Sequence, residues 1–328
     1  MEILIFYFII LIILLFILYF TKSSIKEGMI VDSNAMQENV YSKYGIKIDK
    51  ENNNLIYKGK TINYMDNFNN EKGIKISNDK IKTNDLLTKT GFPVCNFIKW
   101  NNDLDSESNL LNINNKLKFP VVVKDNYGEK GIGVYTDVYT NDELIDKIKS
   151  LKKNNRNSIL IEEQAVGDKY RVMIFNDKFI YANKQIKPVI TGDGVSSIQE
   201  LIDNYPKSIN IINIDLIKQQ GYNLNDVPKK NKTIEVTNVL NANNGIQEVP
   251  AKECDVHPIN LDMFSRLNKE IGLNLTGIDY IGPDLSIPYL DGGKIIEVNP
   301  YPAFNITEQK KPHVAKNWVD ALNNFDYN

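Results

Sequence analysis

An α+β fold, with strands and helices mixed along the chain, is what this 328-residue sequence predicts. Three observations carry the prediction. Short alternating or wholly apolar runs recur as strands, among them "FPVVVKD", "SILIEE", "YRVMIFNDKFIYA", "TGIDYIG" and "GGKIIEV". Helix-period segments fall between some of them, at 141–153 and 260–271. Several strands follow one another as hairpins, so the order is not that of regular βαβ units, and no internal repeat appears.

The N-terminus stands apart. Residues 3–20, "ILIFYFIILIILLFILYF", are 18 apolar or aromatic residues without a charge. At 1.5 Å rise per residue such a helix spans about 27 Å, enough for a bilayer core. Glu2, the absence of a basic start and the absence of a small-residue cleavage site favour an uncleaved anchor over a secretory signal. Lys22 and Lys26 follow the span, which places the body in the cytosol. The expected organisation is a transmembrane anchor at 1–21, a polar linker and small lead-in module at 22–75, and a main domain at 76–328. The lead-in module contains a hairpin, "NLIYKGKTINY", turning at Gly59.

In the main domain, residues 84–90 predict a helix ended by Gly91, with Pro93 just beyond. "FPVVVKD" is a buried strand, "NYGEKGIGV" a glycine-rich turn and "YTDVY" a second strand. Helix 141–153 comes next, then strands from "SILIEE" and "YRVMIFNDKFIYA". Helices are expected around 197–203, 210–220 and 260–271, before the closing strands "TGIDYIG" and "GKIIEV".

Composition narrows the function. A formal net charge of −2 argues against a nucleic-acid binder. Cys95 and Cys254 make no disulfide framework or cysteine metal site. With only His257 and His313, histidine-based hydrolysis is disfavoured, and His257 before Pro258 suits a helix start. In "GGKIIEVNPYPAF" Glu297 and Asn299 share a strand face, alternating with Ile296 and Val298. A buried carboxylate needs a partner or a metal. Asp279 in "TGIDYIG" could join them from a neighbouring antiparallel strand, completing an all-oxygen set suited to Mg²⁺. Gly128, Gly131 and Gly133 follow the strand that carries Lys124, so backbone N–H groups and one ammonium can meet phosphate. The spacing is neither a Walker loop nor a dinucleotide fingerprint.

These residues resemble the ATP-grasp superfamily of carboxylate–amine ligases over roughly 76–305. The pattern is most similar to the ATP-grasp domain of cyanophycin synthetases and bifunctional glutathione synthetases. "KPVITGDGVSSIQELID" is its most specific piece, and "QQGYNLNDVP", "NANNG", "VHP", "IGLNLTGIDYIGPDLSIP" and "GGKIIEVNPYPAF" follow in the same order. The resemblance implies two α+β subdomains clamping ATP. It places Lys80 and Lys124 on ATP phosphates and the glycines 128, 131 and 133 in a lid. Glu162, Glu163 and the Ala165 backbone would lie by adenine, and Arg171 and Lys184 would face the transferring phosphoryl group. Asp279, Glu297 and Asn299 would hold two Mg²⁺ ions, with Mn²⁺ an alternative. Lys169 stands where an acid often holds the ribose, with Asp168 next door as its substitute. Thr237 and Asn238 replace expected arginines, and Ala303 an expected glycine.

The implied activity joins a carboxylate to an amine, amino acid or peptide in kind, through an acyl phosphate with release of ADP and phosphate. Two alternatives stay open: a small-molecule kinase that stops at phosphoryl transfer, and a catalytically weak nucleotide-binding membrane scaffold. Assembly into a homo-oligomer is also left open.

Overall fold

The computed structural model describes residues 42–49, 52, 54–63, 68–129, 131–240, 244–251, 253–302 and 312–325. The apolar run 3–20 lies outside them, and among the described residues no helix is long and apolar enough to cross a membrane. The chain divides into two compact units, residues 1–68 with 301–328, and residues 69–300. The described C-terminal residues, 301–302 and 312–325, fall in the first unit.

The first unit holds an antiparallel meander of β1 (Ile46–Asp49), β2 (Asn54–Tyr57) and β3 (Lys60–Asn63). Lys58 and Gly59 both take positive φ, at 48° and 76°, the tight hairpin turn that matches strand twist.

The second unit opens with two short helices, α1 (Glu71–Ser77) and α2 (Lys80–Lys89). Asn70 and Asp79 cap them by accepting from Gly73 N and Lys82 N. The expected helix at 84–90 thus starts earlier, at the cap that Asp79 supplies. Next comes a four-stranded antiparallel sheet in the order β4 (Phe97–Lys99), β7 (Ile159–Glu163), β5 (Val121–Asp125), β6 (Val134–Val138). Val121, Val123, Ile159 and Ile161 face helices α3 (Ser106–Lys116) and α4 (Asn141–Lys153) across an apolar core. A capping box between Thr140 and Glu143 starts α4 where the sequence places it. Strand alternation leaves Val122, Lys124, Leu160 and Glu162 on the other face.

A five-stranded antiparallel sheet follows, in the order β12 (Gln247–Ala251), β9 (Lys178–Ile186), β8 (Asp168–Phe175), β13 (Leu275–Gly282), β14 (Lys294–Asn299). One face packs Tyr170, Val172, Ala182, Ile278, Tyr280 and Val298 against Met263, Phe264 and Leu267 of α7 (Pro258–Ile271). Between β9 and β12 the chain builds a small module from β10 (Val189–Thr191), α5 (Ile198–Asp203), α6 (Ile214–Gln219) and β11 (Thr233–Glu235). It has its own core of Ile190, Ile198, Ile202, Ile217, Ile234 and Val236. The last helix, α8 (Pro312–Asn323), belongs to the first unit, where Asn323 accepts from Tyr57 Oη at 2.8 Å.

One detail of β14 departs from simple alternation. Asp279 pairs with Glu297 but Tyr280 pairs with Ile295, so Ile296 is the extra residue of a bulge. Ile295 and Val298 therefore enter the core, and Ile296, expected there, is only half-buried.

Candidate active site

The five-stranded sheet turns its second face away from α7, and antiparallel register lays polar residues across it in rows. One row is Gln185, Lys169 and Ile281; the next is Asn183, Arg171, Asp279 and Glu297; the third is Tyr181, Met173, Gly277 and Asn299. Paired residues on one face stand about 5 Å apart at Cβ. The adjacency of Asp279 and Glu297 thus follows from pairing.

Asp279 is 3% exposed, so its charge has to be matched. Lys169 Nζ lies 2.8 Å from Oδ2 and Arg171 Nε 2.7 Å from Oδ1. Burial pushes the Asp279 carboxyl up, but Arg171 and Lys169 outweigh it and hold the group below the usual aspartate value. Glu297 is met by Lys80 Nζ at 3.0 Å, and Asn299 Nδ2 donates to Gly277 O at 3.3 Å.

The smaller sheet contributes Lys124, buried and ion-paired with Glu162. Burial alone would lower the Lys124 ammonium, but Glu162 and, further off, Glu297 keep it above the usual lysine value. Lys80, at the first turn of α2, also donates to Gly128 O at 2.6 Å. Asn126 bridges the helix start to the glycine loop, accepting from Ile81 N at 2.8 Å and donating to Asp79 at 3.0 Å. Gly131 and Gly133 take φ of 75° and 78°. At Gly128 a Cβ would come within 2.7 Å of the Ile132 carbonyl, so no side chain fits. Lys80, Lys124, Lys169 and Arg171 set four positive charges against the three of Glu162, Asp279 and Glu297. That balance favours an anion.

Residues 86–234 match the family described as D-ala D-ala ligase C-terminus. The crystal structure of a bifunctional glutathione synthetase from Pasteurella multocida superposes with a TM-score of 0.51 at 20% identity, over 79% of this chain and 38% of that one. The chain has an ATP-grasp fold. A cyanophycin synthetase from Synechocystis is 30% identical over 253 residues, 71% of this chain and 28% of that protein. The glutathione biosynthesis bifunctional protein of Mannheimia succiniciproducens is 23% identical over 244 residues, 68% of this chain and 32% of that protein. The chain thus spans less than a third of the length of these two curated relatives.

Within this ATP-grasp fold, the expected site residues separate. Lys80, Lys124, Glu162, Arg171, Asp279, Glu297 and Asn299 converge as described. Lys184 does not join Arg171. It pairs in register with Tyr170, on the α7 face, and its ammonium meets Asp168 there. Adjacent strand residues point to opposite faces, so Asp168 cannot stand in for Lys169 either. Both expectations are corrected by the register. Glu163 is engaged outside the site, accepting from Asn96 Nδ2 at 3.0 Å and Lys118 N at 2.9 Å. Ala165 is half-buried in the link from β7 to β8.

Lys169, a departure from the family pattern in the sequence, is one of Asp279's two cations in the fold. Asn183 and Gln185 were passed over, though their alternation in "ANKQI" was visible. Asn238, standing for an expected arginine, donates to Asp137 Oδ2 at 3.1 Å. Among the described residues no group of three or more His, Cys, Asp or Glu side chains is arranged to hold a metal. The set that fits one is two carboxylates and an amide: Asp279 facing Glu297, with Asn299 on the same face in the next row. These are all-oxygen donors, the chemistry a hard divalent cation takes.

Proposed function

We propose that this chain is an ATP- and Mg²⁺-dependent carboxylate–amine ligase that forms an amide or peptide bond through an acyl phosphate, releasing ADP and phosphate. One observation carries the reading. A facing Asp279–Glu297 pair is met by three cations, Lys80, Lys169 and Arg171, and a strand-linked glycine loop lies beside Lys80. Lys80, Lys124 and the loop 128–133 would hold the triphosphate, and the backbone of 162–165 would lie along adenine. Mg²⁺ at Asp279, Glu297 and Asn299 would neutralise phosphate charge. Arg171 and Lys169 would stabilise the charge spread over the transferring group. Both substrates would be held in line, so positioning and electrostatics suffice without a histidine. The family match over 86–234 and the likeness to glutathione and cyanophycin synthetases support amino acids or peptides as substrates.

The test supplies the chain with ATP, Mg²⁺ and paired amino-acid or peptide acids and amines. ADP, phosphate and an amide are expected only when both partners are present, because the acyl phosphate stays sheltered from water under the lid. AMP and pyrophosphate as products count against the acyl-phosphate route. A stable phosphorylated product made without any amine identifies a kinase instead.

The run 3–20 is proposed to anchor the protein in a membrane, with the body facing the cytosol where ATP is available. Its uncharged 18 residues and the following Lys22 and Lys26 support this. Asn231, Asn274 and Asn305 each begin an N-x-[ST] triplet. Expressed in a eukaryotic host the chain should carry no glycan; glycan at any of the three puts the body in the lumen.

A further inference from the structure

The row that carries Asp279 continues past Arg171 to Asn183 on β9. Asn183 is fully buried, and among the described residues neither its Nδ2 nor its Oδ1 has a hydrogen-bond partner. Gln185, two residues on along the same face, is also buried and its Oε1 is unpartnered. Buried polar groups are almost always paired, and unmet ones destabilise the fold that holds them. The charged neighbours supply no partner. Arg171 and Lys169 are committed to Asp279, and Lys169 also donates to the Leu240 carbonyl at 2.9 Å. A buried amide with both ends open, beside a cation–carboxylate pair, has the form of a recognition group awaiting a ligand.

We propose that Asn183, with Gln185 beside it, is a specificity-determining subsite that takes an uncharged primary carboxamide on the substrate. This rests on the ligase reading for placing the substrate over this face, and it deepens that reading by naming a substrate class. The chemistry follows from the two ends of the Asn183 amide. One group that satisfies both must present a donor and an acceptor side by side. A carboxylate offers acceptors only and leaves Oδ1 facing an anion. An ammonium or guanidinium offers donors only and leaves Nδ2 facing a cation. A trans peptide bond points its N–H and C=O in opposite directions and meets only one end. A primary carboxamide meets both.

Asn183 is closed off in this arrangement, and in the neighbouring row the Leu240 carbonyl covers the Lys169 ammonium. The ligand therefore enters while this cover is lifted, as substrates do in enzymes that close over them.

The experiment titrates the full chain, in detergent, with L-asparagine, L-glutamine, L-aspartate and L-glutamate by calorimetry, in the presence of ADP and Mg²⁺. The two amides should bind at least about tenfold more tightly than the matched carboxylates, since a site built for a hydrogen-bonding group rejects analogues that leave it unpaired. Asn183→Leu should bring that preference to within about twofold, leave ADP affinity unchanged and keep or raise Tm, because two unpaired buried polar atoms are gone. A structural role would instead lower Tm and spare the preference. If Asn183→Leu does not fold, Asn183→Asp asks the same question with the shape kept and the donor end lost. Equal binding of amides and carboxylates, binding of none of the four, or a preference that survives either variant overturns the proposal. Amide binding without ADP release by any acid–amine pair sinks the ligase reading and leaves the subsite standing. ADP release by acids bound without amide preference does the reverse.

Discussion

Glu297 and Asp279 face each other, yet they carry different loads. Glu297 is 29% exposed at its side chain and meets only Lys80 among the described residues. Losing that pair should change stability by about 1 kcal/mol or less. Asp279 is buried between two cations, and Asp279→Asn would leave Lys169 and Arg171 with no buried anion, a loss of about 3–5 kcal/mol. Glu297→Gln should therefore melt within a few degrees of the parent while Mg²⁺-dependent ATP turnover falls by about 10²–10³. Side-by-side melting curves and ADP assays check it, and normal turnover in a folded Glu297→Gln protein removes Glu297 from the site. The identity of these acids was legible because lone carboxylates stand out in apolar strands. The misplacement of Lys184 and Asp168 had a different cause: which strand face is which depends on register, and register is a property of two strands.

At the scale of elements, local signals placed what local chemistry controls. The capping box of α4 and the φ of 81° at Gly272 that ends α7 are written in a few adjacent residues. The start of α2 was read late because Asp79 is held in place partly by Asn126 and Tyr127, far along the chain. The bulge at Ile296 was likewise invisible, since it exists only against Asp279 and Tyr280. Beside it, Tyr280 is fully buried and its ring lies against two glycines. A Cβ on Gly282 would come within 2.7 Å of the Tyr280 hydroxyl, and one on Gly293 would overlap it. Gly282→Ala and Gly293→Ala should each lose about 1–3 kcal/mol through overpacking. Gly221→Ala, at a φ of 84° with open space around it, should lose only about 1 kcal/mol. Urea midpoints of the three variants test the order; an equal loss in all three contradicts the packing argument.

For the whole molecule, ligand and fold are linked. Lys124 and Glu162 come from the smaller sheet, Asp279 and Glu297 from the larger, and Lys80 from α2. A nucleotide that bridges them should hold the second unit together as one. ATP with Mg²⁺ at about 100-fold its Kd should stabilise the chain by about 2.7 kcal/mol, or roughly 5–10 °C in Tm. Chelating the metal with EDTA should cut the shift by more than about half, because phosphate charge is then left unneutralised. Differential scanning fluorimetry reads both, and a shift indifferent to EDTA argues against a metal at Asp279, Glu297 and Asn299.

By itself the sequence determined the α+β class and most of the strands and helices of residues 69–300, and singled out Lys80, Lys124, Arg171, Asp279 and Glu297 as candidates that the fold brings near one another. Each of these shows in hydrophobic period, capping chemistry or an unusual residue in an apolar run, all of which act over a few positions. Only the tertiary structure decided which side chains share a face, that Lys169 rather than Lys184 stands beside Arg171, that Ile296 bulges out, and that Asn183 is buried with no hydrogen-bond partner among the described residues. Those outcomes depend on strand pairing between segments up to about a hundred residues apart, as between β8 and β13. With a side-chain period of two, one step in that pairing moves every residue to the other face.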